Sequence, residues 1–325
     1  MHSIKDKRIV IFGGTGFIGR EVAARLIRGG AYVTVMARRP YRNKGMLVQP
    51  RLRLVQGDVR DAMDVGRALS GQDAAINLVG ILDGSSRQMQ ALHVDWPRRL
   101  VDSGHDLKRL VHVGAVNADA DSDSLYLATK GQGEGIIREA GVPWTIVSPS
   151  VVFGHGDTFF NRFALLLKLA PGIMPVIRPQ ARFSPVYVSD VADAIIAGLT
   201  RGDLAGKRLA LGGPEVWTMR QVVAYTCRQI GVRRLLLNLP PAMAKMQARV
   251  MGMLPGRPFS LDQYRTLQVD AVAGPDDLRA IGIEPTAVEA IVPAYLGKSR
   301  RQLVYDRFRH ESSGALVPPP PPPTR

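Results

Sequence analysis

Residues 8–20 read RIVIFGGTGFIGR. An apolar run, Ile9 to Phe12, leads into three glycines spaced every third residue, Gly13, Gly16 and Gly19, and a segment able to form a helix follows. The spacing predicts a strand, a tight turn and a helix start. Gly13 suits the turn, because a chain reversing from strand into helix needs backbone angles that a β-carbon forbids. Gly16 lets a pyrophosphate approach the main chain, where unpaired amides and the helix dipole favour an anion. Gly19 lets the new helix press closely on the strand. With Thr15, Phe17 and Ile18 these residues make a predicted phosphate cradle. A glycine-rich surface turn without a ligand is the competing reading; the strand before and the helix after favour the cradle.

Working outward, short apolar runs recur at 31–37, 52–58, 74–80, 109–115 and 144–150, each separated from the next by enough chain for a crossover helix. That is the pattern of a parallel sheet covered on both faces, and it predicts an α/β, Rossmann-like doubly wound fold. After about residue 155 the alternation loosens and prolines become frequent. The expected organisation is a nucleotide-binding domain over 1–155, with strand contributions returning up to about 215. A smaller helical and loop domain is expected over 156–312, and the VPPPPPPTR ending predicts an extended, disordered tail over 313–325.

Composition narrows the class. A hydrophobic content of 46% over 325 residues is ample for a packed core. The single cysteine, Cys227, allows no internal disulfide and suits a reducing compartment. The six histidines show no metal-ligand spacing, so no metal is expected. The first strand begins too early for a targeting segment, and the apolar stretches are too short and interrupted to span a membrane. A net charge of +15 points to an anionic partner. Nucleic acid is disfavoured, because aromatics are only 6% and none interleave with the basic clusters.

The second apolar run ends in YVTVMARRP, with no carboxylate to accept from ribose hydroxyls. Arg38 and Arg39 stand there instead, and guanidiniums pair well with a 2′-phosphate, so NADPH is favoured over NADH. An ordinary solvated turn is the alternative. Asp58, with Val59 beside it, follows the third strand and is placed to meet an adenine amine. Leu78, Val79 and Gly80 end the fourth strand on the cofactor side, where Asn77 is either a ligand contact or a strand cap. Tyr126 and Lys130 are four apart in SLYLATK and share a helical face. An ammonium beside the phenol is expected to lower its pKa and make it a proton donor in hydride transfer.

GGTGFIG, GDVRD, YLATK and SPSVVFGHGD, in this order, resemble the extended and atypical short-chain dehydrogenase/reductases over roughly residues 7–215. INLVGIL, HVDWPRRLV, FSPVYVSDVADAI and LGGPEVWTM are similar to the branch holding the NADPH-binding accessory subunit of respiratory complex I and its bacterial relatives. That resemblance implies a firmly held NADPH, a structural or assembly role near the quinone site, and no established turnover. It also implies that the backbone of Pro149, Ser150, Val152 and Phe153 lies beside the nicotinamide, although a strand-to-loop exit reads the same way. Active members carry a serine at the end of the fifth strand; here Gly114 and Ala115 occupy the place, and neither side chain donates a hydrogen bond. Ser122 or Ser124 could substitute, and Tyr126 with Lys130 could serve the nicotinamide ribose alone.

From Gly231 to Leu261 no acidic residue occurs, against Arg233, Arg234, Lys245, Arg249 and Arg257. A helix is predicted between Pro241 and Pro255, with Met243, Met246, Val250, Met253 and Leu254 along one face. An anionic membrane surface or a partner's groove would suit it, as would a core position with the basic side in water. A second basic run, Lys298 to Arg309, carries one acid, Asp306. The expected function is an NADPH-binding accessory or assembly factor of complex I or quinone metabolism, weakly catalytic at most, peripheral to the cytoplasmic face of a bacterial inner membrane. The alternatives are an active reductase or epimerase on a carbonyl or sugar-like substrate, and a redox-sensing regulator.

Overall fold

The computed structural model describes residues 3–240, 242–243, 246–247 and 260–297. The first half alternates strand and helix. It runs β1 (Arg8–Phe12), α1 (Phe17–Arg28), β2 (Tyr32–Ala37), the short α2 (Lys44–Leu47), β3 (Leu52–Gln56), α3 (Ala62–Leu69) and β4 (Ala74–Asn77). There follow α4 (Ser86–Gln90), α5 (Trp96–Ser103), β5 (Arg109–Val113), α6 (Leu125–Arg138) and β6 (Trp144–Pro149). The chain then makes β7 (Val152–Phe153), α7 (Phe160–Leu169), β8 (Ile173–Val176), β9 (Arg182–Phe183), β10 (Val186–Tyr187) and α8 (Val188–Thr200). It re-enters the main sheet as β11 (Lys207–Leu211), before β12 (Trp217–Thr218), α9 (Met219–Ile230) and β13 (Leu235–Asn238).

Seven strands form one parallel sheet in the order β11-β6-β5-β4-β1-β2-β3. The chain leaves β1 towards β2 and β3, then crosses to β4 on its other side, so the strand order reverses beside β1. Ligands of open α/β sheets bind at such a reversal, outside the carboxyl ends of the strands. Alternation along β1 divides the core. Ile9 and Ile11 meet Val22 and Leu26 of α1 and Val191 and Ile195 of α8, while Val10 and Phe12 face Trp96, Leu100 and Ile137. Phe12 and Trp96 meet edge-on at 4.7 Å between centroids.

Further apolar clusters lie beyond β6, two of them large. One gathers Leu167, Met174, Val176, Phe183, Met219 and Val223; the other gathers Phe153, Phe160, Trp217, Tyr225 and Val292. The acid-free stretch opens as strand β13, paired in parallel with β8, before the predicted Met-rich helix. Of that helix, 242–243 and 246–247 are described and helical, with Met243 and Met246 exposed. Val250, Met253, Leu254, the basic run from residue 298 and the proline tail lie outside the described residues.

The turn after β1 is built by contact as well as by dihedral angle. Gly13 has φ +82°, and a β-carbon there would sit 2.9 Å from the Leu78 carbonyl group. A β-carbon on Gly19 would sit 2.5 Å from the Gly13 carbonyl oxygen and the Gly14 α-carbon. Both obstacles are backbone, which cannot swing aside. Gly19→Ala is therefore expected to lower the unfolding free energy by roughly 2 kcal/mol, as overpacking does, measured by urea denaturation.

Candidate cofactor site

The N-terminus of α1 is left open. Gly16 is its N-cap, without a capping side chain, and the first turn holds no acid. The first-turn amides therefore have no partner within the helix, and an anion suits them. Arg20 braces the loop from outside, donating from Nε to the Thr15 carbonyl at 3.0 Å and from a terminal nitrogen to Asn43 Oδ1 at 3.1 Å. Phe17 and Ile18 are half-buried in the first turn.

Beside the loop, past the ends of β2 and β3, lies a crevice of about 760 Å³ lined by Thr15, Arg38, Arg39, Arg42, Asp58 and Arg60 among others. Arg38, Arg39 and Arg42 are exposed, and their guanidiniums make no hydrogen bond or ion pair with any described residue. Asp58 is engaged: Arg60 donates to its carboxylate at 2.6 Å and 3.0 Å, and this hydrogen bonding holds the carboxyl below its usual range. The Asp58 amide donates to Asp64. Arg42, Asn43 and Arg60 were not singled out from the sequence; their signal lies in RRPYRN and DVRD, where local pairing decides which cation stays free. Val59 packs on the core, with its carbonyl accepting from Arg99 at 2.9 Å.

Asn77 proves to be a cap. Fully buried, its Oδ1 accepts from the Val79 amide and from Trp96 Nε1, and its amide nitrogen donates to His112 Nδ1. Leu78 supplies the carbonyl against which Gly13 rests, and Gly80 is exposed.

The structure corrects the expected chemistry of the Tyr126–Lys130 pair. Burial, and then the Glu134 carboxylate, push the half-buried Tyr126 phenol up to about 12 rather than down. Lys130 does not offset this, because its ammonium donates to the Val113 carbonyl at 2.6 Å, and burial lowers its own pKa to about 8. His93, unnoticed in the sequence, lies edge-on to Tyr126 with 5.8 Å between ring centroids. Burial, and then Lys130, lower His93 to about 3, so the ring is neutral. Its Nε2 accepts from the Ile81 amide, which puts the proton on Nδ1, donated to Thr129 Oγ1 at 2.9 Å.

Past β5 a second correction concerns the missing hydroxyl. A β-carbon at Gly114 would collide with Glu134 Oε1. Glu134 is 1% exposed and accepts from Ser148 Oγ at 3.0 Å, Arg208 Nε at 2.9 Å, Arg138 at 3.2 Å and the Ala115 amide at 3.3 Å. Arg208 also donates to the carbonyls of Ala115 and Val116. Of the two serines that could substitute, Ser124 is engaged and Ser122 is used as an acceptor. Ser124 is the N-cap of α6 and bonds Thr266 Oγ1 at 2.7 Å, while Ser122 Oγ accepts from the Ser124 amide. Ser150 turns its hydroxyl to the Ala271 carbonyl, and Pro149 ends β6. Val152 and Phe153 pair with Val186 and Tyr187, with Phe153 buried against Tyr187 and Phe160.

Residues 13–158 match the family model described as NAD(P)H-binding. The chain is 27% identical to the mitochondrial NADH-ubiquinone oxidoreductase 40 kDa subunit of Neurospora crassa, over 94% of this chain and 82% of that one. It is 30% identical to the (4-alkanoyl-5-oxo-2,5-dihydrofuran-3-yl)methyl phosphate reductase of Streptomyces griseus, over 69% of this chain and 74% of that one. The chain belongs to the atypical short-chain dehydrogenase/reductases. Within them it is related to the accessory subunits of complex I. A superfamily structure from Agrobacterium tumefaciens with bound NAD superposes with a TM-score of 0.71 at 16% identity, over 93% of this chain and 99% of that one, and shares its fold. As a member of this family the chain is an NAD(P)H-binding protein. No helix among the described residues is long and apolar enough to cross a membrane.

Lys130 gives the family fold a pH signature. The folded group titrates near 8 and the unfolded one near 10.5, so below pH 8 both states are charged and the folded state bears the full burial penalty. Between those values the unfolded chain binds more protons, and stability rises with pH. Lys130→Met is expected to lack this rise, as urea denaturation from pH 7.5 to 10 checks.

Proposed function

We propose that this chain holds NADPH as a structural or assembly subunit linked to complex I or quinone metabolism, peripheral to the cytoplasmic face of a bacterial inner membrane, with little or no turnover. The observation that carries the reading is the end of β5, where the Glu134 carboxylate fills the space beside Gly114 and Ala115 offers no donor. Loss of one oxyanion donor lowers turnover by a factor on the order of a hundred or more, while binding the cofactor needs none of it.

The residues present fit the dinucleotide. The open α1 terminus with Gly13, Gly16 and Gly19 suits the pyrophosphate, and the unpaired Arg38, Arg39 and Arg42 suit a 2′-phosphate. When bound, NADPH supplies a hydride. Tyr126 stays protonated through neutral pH, which supports a role in holding the nicotinamide ribose together with Lys130 over one of rapid proton exchange. The relationship to complex I subunits supports the partner class.

A second reading, a working NADPH-dependent reductase, draws on the retained Tyr126 beside His93 and on relatives named as reductases. In that case Tyr126→Phe abolishes NADPH oxidation by some carbonyl acceptor while binding persists.

Calorimetry separates the cofactor forms. Replacing Arg38 and Arg39 by Ala is expected to weaken NADPH at least about tenfold, or ~1.4 kcal/mol, and to leave NADH nearly unchanged. Equal affinity of the parent for both cofactors would overturn the NADPH assignment.

A further inference from the structure

The β8–β13 ribbon has the wrong outer face for a surface exposed to water. Its inner residues, Met174, Val176 and Leu236, pack into the cluster with Leu167, Phe183 and Val223. The alternate residues point outward, and register places Leu235 opposite Ile173 and Leu237 opposite Pro175. Ile173 is 50% exposed, Leu235 65% and Leu237 51%. The patch continues onto the end of α7, where Leu165 and Leu169, one helical turn apart, are 58% and 71% exposed. Gly172, three residues after Leu169, accepts from the Leu235 amide and joins the two parts.

The surrounding charge has one sign. Residues 158–189 and 216–261 contain no Asp or Glu, against four basic residues in the first stretch and seven in the second. Lys168 on α7 and Arg233, two residues before β13, are exposed near the leucines, and neither forms an ion pair with a described residue. Arg220 is exposed next to the ribbon and donates to the Leu236 carbonyl and Asn238, leaving its charge uncompensated. Acids of the protein elsewhere pair locally, as Asp58 does with Arg60 and Asp203 with Arg201.

We infer that this ribbon and the end of α7 form a docking face for an anionic lipid bilayer, the aliphatic side chains entering the interface and Lys168, Arg220 and Arg233 meeting headgroup phosphates. The chemistry favours lipid over protein. The patch is aliphatic and leucine-rich, and leucine is under-represented among the hot spots of protein interfaces, whereas aliphatic chains rimmed by cations match an anchor at an anionic bilayer. Contiguous apolar exposure of this kind marks an interaction site rather than ordinary surface. The inference rests on the peripheral-membrane part of the proposed function and not on its cofactor.

The full chain carries one cysteine, Cys227, which is buried, so a Leu237→Cys substitution in a Cys227→Ser background accepts a single polarity-sensitive fluorophore. With phosphatidylcholine vesicles containing phosphatidylglycerol, the label is expected to shift to the blue and the protein to co-float, both effects fading with salt. Vesicles of phosphatidylcholine alone should give neither. The unlabelled triple variant Leu169→Ser, Leu235→Ser, Leu237→Ser should lose vesicle affinity at least about tenfold, with melting temperature and NADPH affinity unchanged. Undiminished flotation of that variant would overturn the assignment of this face, as would no flotation of the parent. A label already blue-shifted without lipid would place a second copy or the remainder of the chain on the patch, and would also overturn it. NADPH binding by a parent that ignores vesicles would defeat this inference together with the peripheral-membrane part of the proposed function, undiminished flotation of the triple variant would defeat this inference alone, and flotation without NADPH binding would defeat only the cofactor reading.

Discussion

A single buried carboxylate organises the half of the cleft where chemistry would occur. Glu134 leaves α6, passes under the end of β5, and receives hydrogen bonds from β6 through Ser148 and from β11 through Arg208. Taking a charge out of water is expensive, and removing one partner of such a pair commonly costs about 3–5 kcal/mol, because the other is left uncompensated. Arg208 spends its remaining hydrogen bonds on the carbonyls of Ala115 and Val116, so the turn after β5 is held by the same ion pair. Gly114 is the counterpart of this arrangement, since only a residue without a side chain leaves room for the carboxylate. Structural economy at β5 and the absence of an oxyanion donor are thus two sides of one packing decision.

The other end of the cleft obeys the opposite rule. Arg60 holds Asp58 by hydrogen bonds, while Arg38, Arg39 and Arg42 are left exposed at the crevice wall without a hydrogen bond or ion pair from their guanidiniums to a described residue. Water solvates those guanidiniums cheaply, and a phosphate would gain them at little desolvation cost. The ends of β2 and β3 are therefore open and positively charged, whereas beside the end of β5 the buried Glu134 is enclosed by its own hydrogen-bond donors.

The later part of the chain is also part of the site. Asp262 caps α6, accepting from the amides of Leu125 at 2.6 Å and Tyr126 at 3.1 Å, while Thr266 meets Ser124. Asn117, in the turn after β5, donates to the Asp270 carbonyl, and Ala271 takes the Ser150 hydroxyl. The helix bearing Tyr126 is therefore positioned by residues more than 130 positions away.

Local chemistry made much of this legible. RIVIFGGTGFIGR specifies a strand, a turn that tolerates no β-carbons and a helix start, because each demand is met by neighbours in the chain. The doubly apolar strand runs announce a sheet covered on both faces for the same reason, and ARRP displays its cations whatever the fold. What needed the tertiary structure were the electrostatic balances between distant segments. Lys130 looks like an activator of Tyr126 on a helical wheel, yet the Val113 carbonyl claims it and burial reverses the expected pKa shift. Gly114 reads as a simple loss until Glu134 and Arg208, 74 positions apart, are brought together beneath it. Likewise, strand β13 acquires an inner and an outer face only through its pairing with β8. Sequence by itself determined the nucleotide-binding scaffold, because backbone sterics and hydrophobic periodicity act over a few residues. The three-dimensional fold alone decided which charges are spent and which remain free, because desolvation and hydrogen-bond partnership depend on neighbours in space.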